Sequence, residues 1–161
     1  MARLLGERMP ADLVRVFDGT DLEDNVGIAY PLVTVDEAGT PRFSMLSAGE
    51  LLATGDSVLR IAMWPNTRTG GNLASGREAL LCVVEPGSVR YVRGTAVRLV
   101  PPPDAAVECF GLTVTAVESD SHDGMPVATP ITFTTVTPSR AEVLAGWQVV
   151  LTALAAATGA G

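Results

Sequence analysis

Apolar and polar positions alternate with a period of two over several short stretches, each bounded by Gly, Pro or acidic residues, as in half-buried strands joined by hairpins. Residues 26–35 (VGIAYPLVTV) and 41–47 (PRFSMLS) flank the turn DEAGT and predict a first hairpin. Residues 58–64 (VLRIAMW) predict a third strand, after a short polar-apolar segment. Residues 77–86 (REALLCVVEP) predict a fourth, whose unbroken apolar centre fits a strand buried on both faces. Pro86-Gly87 turns the chain into residues 88–100, where Val89, Tyr91, Arg93 and Thr95 alternate with Arg90, Val92, Gly94 and Ala96. Gly94, in the middle of this run, predicts a bulge or a barrel corner. After the PPPD stretch, residues 110–117 (FGLTVTAV) and 131–136 (ITFTTV) predict the remaining strands, with the loop ESDSHDGMP between them.

Three segments change the period. Pro10 opens a short helix over ADLVRVFD, with Leu13, Val14 and Phe17 on one side. Residues 66–76 (NTRTGGNLASG) follow the third strand and begin as a helix does, with Asn66 or Thr67 as the cap and Gly76 as the stop. From Pro138 onward, Val143, Leu144, Trp147, Val150, Leu151 and Leu154 form a helical stripe, while the opposite face, with Ala145, Gly146, Val149 and Ala153, is hardly polar. Six or so strands at short spacing, with a short central helix and a C-terminal helix, predict a mainly β protein: an antiparallel β-barrel with peripheral helices. At 161 residues without a linker-like tract, the chain is expected to form a single domain.

Composition adds a partner and removes others. With 47% hydrophobic and 18% charged residues and a mean hydropathy of +0.31, the chain is apolar for a monomer, and its two-sided C-terminal helix needs cover, so a homo-oligomer is expected. A net charge of −7, with arginines that never form a run, argues against nucleic acid and anionic membrane as partners. Cys82 and Cys109 lack metal-ligand spacing and are expected as reduced, partly buried thiols. The first residues lack the apolar core of a signal peptide, and residues 141–157 carry Glu142, Gln148 and Thr152 and fall short of a membrane span, so a cytoplasmic protein is expected. His122, between Asp120 and Asp123, reads as a solvated loop residue rather than a metal ligand. Asp21, Glu23 and Asp24 read as a solvated turn rather than a catalytic carboxylate pair.

The segment NTRTGGNLASG carries more donors than capping requires. A helix start with hydroxyls at Thr67 and Thr69 and the guanidinium of Arg68 can hold a phosphate as well as begin a helix. The order of pieces, VGIAYPLVTVDEAGTP, RFSMLS, VLRIAMW, TRTGGNLA and REALLCVVEPGSVRYVRGTAVRL, resembles the FMN-binding split barrels related to pyridoxamine 5'-phosphate oxidase, over residues 26–99 and on to the C-terminal helix. That resemblance implies a six-stranded antiparallel split barrel and a homodimer with FMN at the interface. Thr67, Arg68 and Thr69 fall on the family's Ser-Arg-Lys segment that holds the FMN phosphate, and Leu73-Ala74 on its Leu-Ala pair. It places Ser44, Met45, Leu46 and Ser47 along the flavin edge, Ala62, Met63 and Trp64 near the ring and ribityl chain, and Asn72 with the cofactor-binding set. Trp64 reads equally as a core aromatic.

Two departures stand out: Thr69 replaces a Lys, and Ser44 stands where the oxidase has an Arg, which leaves Arg68 as the principal charge and makes Thr69→Lys the change expected to restore the missing one. No equivalents of the residues that recognise pyridoxal phosphate are found, so that activity is not expected. The resemblance therefore implies an FMN-dependent oxidoreductase. The alternatives are a split-barrel dimer binding flavin, deazaflavin or haem without turnover, and an interaction module that carries no cofactor.

Overall fold

The computed structural model describes residues 2–159. Its strands and helices run in the order β1 (Arg3–Gly6), α1 (Ala11–Val16), β2 (Ala29–Val35), β3 (Pro41–Ser47), β4 (Leu51–Ala53), β5 (Val58–Met63), α2 (Arg68–Ala74), β6 (Glu78–Glu85), β7 (Ser88–Val100), β8 (Glu108–Asp120), α3 (Arg140–Ala156) and β9 (Thr158–Gly159). All nine strands join one antiparallel sheet, in which β3-β2-β6-β7-β8-β5-β4 form the continuous path. The expectation of six strands is thus corrected to nine among the described residues. Three of these are very short: β1 pairs with β8, β9 pairs with β7, and β4 pairs with β5.

The sheet curls because β7 and β8, at 13 residues each, are long enough to serve two neighbours along one edge. β8 pairs with β5 through Glu108–Thr113 and with β1 through Val117–Ser119. β7 pairs with β6 from Ser88 to Thr95 and with β9 at Leu99 and Val100. The register between β7 and β8 slips between Arg93 and Gly94, so the predicted bulge lies where the partners begin to change and adds local twist there. Gly94 is needed for space: a Cβ would lie 2.2 Å from the carbonyl oxygen of Thr113.

Inside the curl lie Leu32, Leu51, Leu59, Ile61, Leu81, Val92, Phe110 and Leu112, all within 1% of full burial. One mouth is closed by α1, whose Leu13 is buried, and by Phe17, whose ring meets Tyr30 edge to face at 4.9 Å. A second apolar cluster joins Ala62 and Cys109 of the sheet to Leu151, Ala153 and Leu154 of α3. Ser139 and Glu142 begin α3 with a reciprocal capping box. At the other end, the Arg60 guanidinium donates to the carbonyls of Leu154, Ala155 and Ala157, satisfying acceptors that a helix end leaves free. The predicted stripe lies on the buried side of α3, with Trp147 against the one-turn helix Ala48–Glu50; of the face expected opposite, Val149 is 70% exposed, but Ala153 is buried with Leu154.

Residues 131–136, expected as a strand, make only one bridge, Thr132 to Ile28. Their alternation is real, but Phe133 and Val136 are exposed and no long neighbour lies beside them. Among the described residues, no helix is long and apolar enough to cross a membrane.

Candidate functional site

The candidate site is built where α2 meets the β2–β3 hairpin. Thr67 begins α2 by accepting the amide N–H of Gly70 at 3.1 Å, and Asn66 precedes it in the left-handed region, at φ 63°. Leu73 anchors the helix in the core, and Gly76, at φ 70°, ends it. Its two adjacent glycines differ in role. A Cβ at Gly70 would meet a Glu108 carboxylate oxygen at 3.0 Å, so Gly70 lets this end of the helix sit against β8, where Glu108 also accepts from Arg98. A Cβ at Gly71 would meet nothing. The backbone there is bare and lines a cleft.

Two hydrogen bonds fix α2 to the hairpin. The Thr69 hydroxyl lies 2.6 Å from that of Ser44, and the Asn72 side-chain amide donates to Thr34 at 3.0 Å. Thr34 and Thr69 are both buried, so these bonds are shielded from water and hold the two elements at one spacing. Between the elements opens a cleft of about 790 Å³, lined by Asp36, Glu37, Ala38, Thr40, Pro41, Arg42, Phe43, Arg68, Gly71, Asn72 and Ser75. Its floor is firm, because Asp36 accepts the amides of Ala38 and Thr40 and so closes the turn. Arg42 and Arg68 are exposed, and among the described residues neither has an ion-pair or hydrogen-bond partner. Two exposed guanidinium groups thus line one cleft together with the carboxylates of Asp36 and Glu37.

The residues expected from the sequence fall into distinct places. Arg68 and Asn72 line the cleft, Ser44 and Thr69 pair behind it, and Thr67 is spent on the cap. Met45 is 48% exposed on the opposite face of β3, and Leu46 is in the core, so Leu46 can offer only backbone groups. Ser47 gives its N–H and hydroxyl to Glu50, whose carboxyl is pushed above the usual range by burial and drawn back by these two bonds. Ala62 and Met63 are buried. Trp64 is 60% exposed, which rules out its reading as a core aromatic, and it lies outside the cleft lining.

Arg42, Phe43, Asp36 and Glu37 were not singled out from the sequence. For Arg42 a signal existed: it stands two residues before Ser44, hence on the same face of β3. The approach of α2 to that face carries no local signature.

Elsewhere the chemistry is quiet. Burial pushes the thiols of Cys82 and Cys109 up, away from the reactive thiolate, and both are unpaired. His122 uses its Nδ1 to accept the amide of Met125 in an exposed turn, and among the described residues no group of His, Cys, Asp and Glu could hold a metal. His122→Ala is therefore expected to leave the melting temperature and any cofactor content within error, and stoichiometric metal lost in that variant would overturn this assignment.

No family model matches the chain. It is 31% identical to the uncharacterized protein YclD of Bacillus subtilis (strain 168) over 138 residues, 84% of this chain and 88% of YclD. Among solved structures it is similar to a candidate pyridoxamine 5'-phosphate oxidase from Lactobacillus delbrueckii, with 17% identity, 73% of this chain and 98% of that one covered, and a TM-score of 0.54. HupZ of Group A Streptococcus superposes with 12% identity over 74% of this chain and 98% of that one, at a TM-score of 0.51. Together with the curled antiparallel sheet, these likenesses place the chain in one family with YclD and give it the split-barrel fold of the pyridoxamine 5'-phosphate oxidase-like proteins.

Proposed function

We propose that this chain, as a single domain, binds FMN with the cofactor phosphate between Arg42 and Arg68, and that it is a flavin-dependent oxidoreductase. The observation that carries the reading is the pair of unpartnered guanidinium groups in one cleft, held in place by the Ser44–Thr69 and Asn72–Thr34 bonds. Where the family resemblance implies Arg and Lys at Ser44 and Thr69, this chain has two hydroxyls bonded to each other, and the second charge is supplied two residues earlier, by Arg42 on the same face of β3. The donors that would meet a phosphate dianion are the two guanidinium groups, since the Ser75 hydroxyl is given to the Asn72 carbonyl and the Gly71 N–H to the Thr67 carbonyl.

The flavin ring is assigned to the edge of β3. This strand ends the sheet path, so its outer edge carries N–H and C=O groups with no strand beside them, apart from the Ser47 N–H, which is given to Glu50. When bound, FMN would supply the electron-accepting ring, and the chain's own part is to position it and to exclude water. No cysteine or histidine lines the cleft, which argues against haem held there by the chain's single His, His122.

The assembly we propose is a homodimer that covers the flavin edge. Phe43, Met45 and Trp64, with Val97 and Val149, are between 48% and 70% exposed, more large apolar side chains than a lone subunit comfortably shows to water. Light scattering at micromolar concentration is expected to give about twice 16.7 kDa. A mass of one subunit would sink the dimer and the shared site with it. The absorption spectrum of the purified protein tests the cofactor: a flavin band, bleached by NADH or NADPH, supports the oxidoreductase. A flavin band that no nicotinamide reduces supports binding without turnover. A colourless protein that takes up no FMN in titration overturns the FMN reading and leaves a different cofactor or the interaction module.

A further inference from the structure

We infer that Asp123-Gly124, in the exposed loop after β8, is a site of spontaneous covalent modification, at which aspartate rearranges to isoaspartate through a cyclic imide. The step needs neither enzyme nor cofactor and is independent of the flavin reading. The Gly124 amide nitrogen forms a bond to Cγ of the protonated Asp123 carboxyl, a C–O bond breaks, and the hydroxyl leaves with the Gly124 proton as water. A glycine nitrogen is the most accessible partner for this closure, because no Cβ crowds it. Water then reopens the ring. Breaking the bond to Cγ restores aspartate, whereas breaking the bond to the main-chain carbonyl carbon leaves isoaspartate, with the chain running through Cγ. Nothing is oxidised or reduced.

The chain has two Asp-Gly pairs, and the fold treats them oppositely. At the first, the Asp18 carboxylate accepts the Thr20 N–H at 2.9 Å and the Thr20 hydroxyl at 2.5 Å. These two bonds hold its carboxyl below the usual range, so the protonated acid that cyclises is scarce. Gly19, at φ 85°, is packed beneath Leu52 and Leu151, each 3.8 Å from where a Cβ would stand, and a shift of its nitrogen would disturb that packing. At the second pair both residues are exposed. Among the described residues, Asp123 has no hydrogen-bond or ion-pair partner and the Gly124 N–H is given to nothing. A Cβ at Gly124 would meet only the His122 ring, 3.5 Å away. The turn is held by the Met125 N–H, shared between the His122 carbonyl and Nδ1 at 3.1 Å each, and the next tie is the Gly87 N–H given to Val127 at 2.8 Å. Exposed tips with so few bonds open most readily, and the ring closes from the opened chain. One hydrogen bond to a charged group is worth about tenfold or more, so Asp18 is expected to convert at least about tenfold more slowly than Asp123.

The test ages the full native chain at neutral pH and physiological temperature and maps its peptides, reading imide as the loss of one water and isoaspartate as resistance to an aspartate-specific protease. Isoaspartate is expected to accumulate in the peptide that holds Asp123, with about a tenth as much or less at Asp18. In urea, which removes the Thr20 bonds and the packing over Gly19, the two pairs should convert at similar rates. Asp123→Glu, which closes the larger ring poorly, should abolish the conversion. Gly124→Ala should slow it severalfold, and both variants should keep the native melting temperature, since each lies on an exposed tip with room for the change. Equal conversion of Asp18 and Asp123 in the native chain would overturn the inference, as would conversion at Asp123 that appears only in urea.

Discussion

Gly49→Ala is expected to detach Trp147 and destabilise the protein by about 3–5 kcal/mol, the usual cost of losing a large buried aromatic side chain. Gly49 needs no special backbone angle; it is glycine because the Trp147 indole occupies the place a Cβ would take. A Cβ placed there would be 2.0 Å from Cγ, 2.1 Å from Cδ1 and 2.5 Å from Cδ2 of the ring, closer than non-bonded atoms can approach. Gly49 is itself buried in the one-turn helix Ala48–Glu50, which the Ser47–Glu50 capping box holds rigid. The ring must therefore move, and with it the middle of α3. For a chain of this length the loss corresponds to a fall in melting temperature of roughly 6–20 °C. Trp147→Ala alone should cost a similar amount. The two changes should be far from additive, because without the indole the new methyl group meets no clash. A double variant losing the sum of both single effects would show that the contact is not the cause.

How much of this was legible in the sequence depended on whether a feature is local. β3 and β7 span the residues that alternation predicts, and α3 buries the stripe that its period marks. The bulge at Gly94 was readable because a glycine gives a strand no side chain to pack, so a lone one inside a strong alternation marks a place where the backbone itself needs the room. β1, with three of its four residues exposed, and the two-residue β9 were not readable: each exists only because β7 and β8 outrun their other neighbours. The error at residues 131–136 is the converse, since alternation without a long neighbour gives only a bridge.

In the site, Arg68 and Asn72 were found because they sit in a recognisable segment, whereas Arg42 was not, because its relation to α2 is a tertiary one. The same fact revises the expectation for Thr69. Its side chain is buried and bonded to Ser44, so a Lys there would not add a free charge to the cleft. Thr69→Lys should instead place an ammonium without a carboxylate partner in a closed space and destabilise the protein.

Arg68→Ala is expected to weaken FMN binding roughly ten- to a hundredfold while leaving the melting temperature unchanged. A charge-assisted contact between guanidinium and phosphate contributes on the order of 1.5–3 kcal/mol, which sets the range. Stability should not follow affinity, because Arg68 is exposed and, among the described residues, has no partner to lose. The start of α2 stays capped by Thr67, and Leu73 stays buried, whatever stands at position 68. Arg42→Ala should have an effect of the same size, since its side chain lines the same cleft from the opposite element. The double variant then discriminates. If both guanidinium groups hold one phosphate, riboflavin, which lacks it, should bind all four proteins alike, and FMN should fall in the double variant to the affinity of riboflavin. Titrations showing FMN affinity unchanged in Arg68→Ala would remove the phosphate from this cleft. The segment NTRTGGNLASG would then be the beginning of a helix and nothing more.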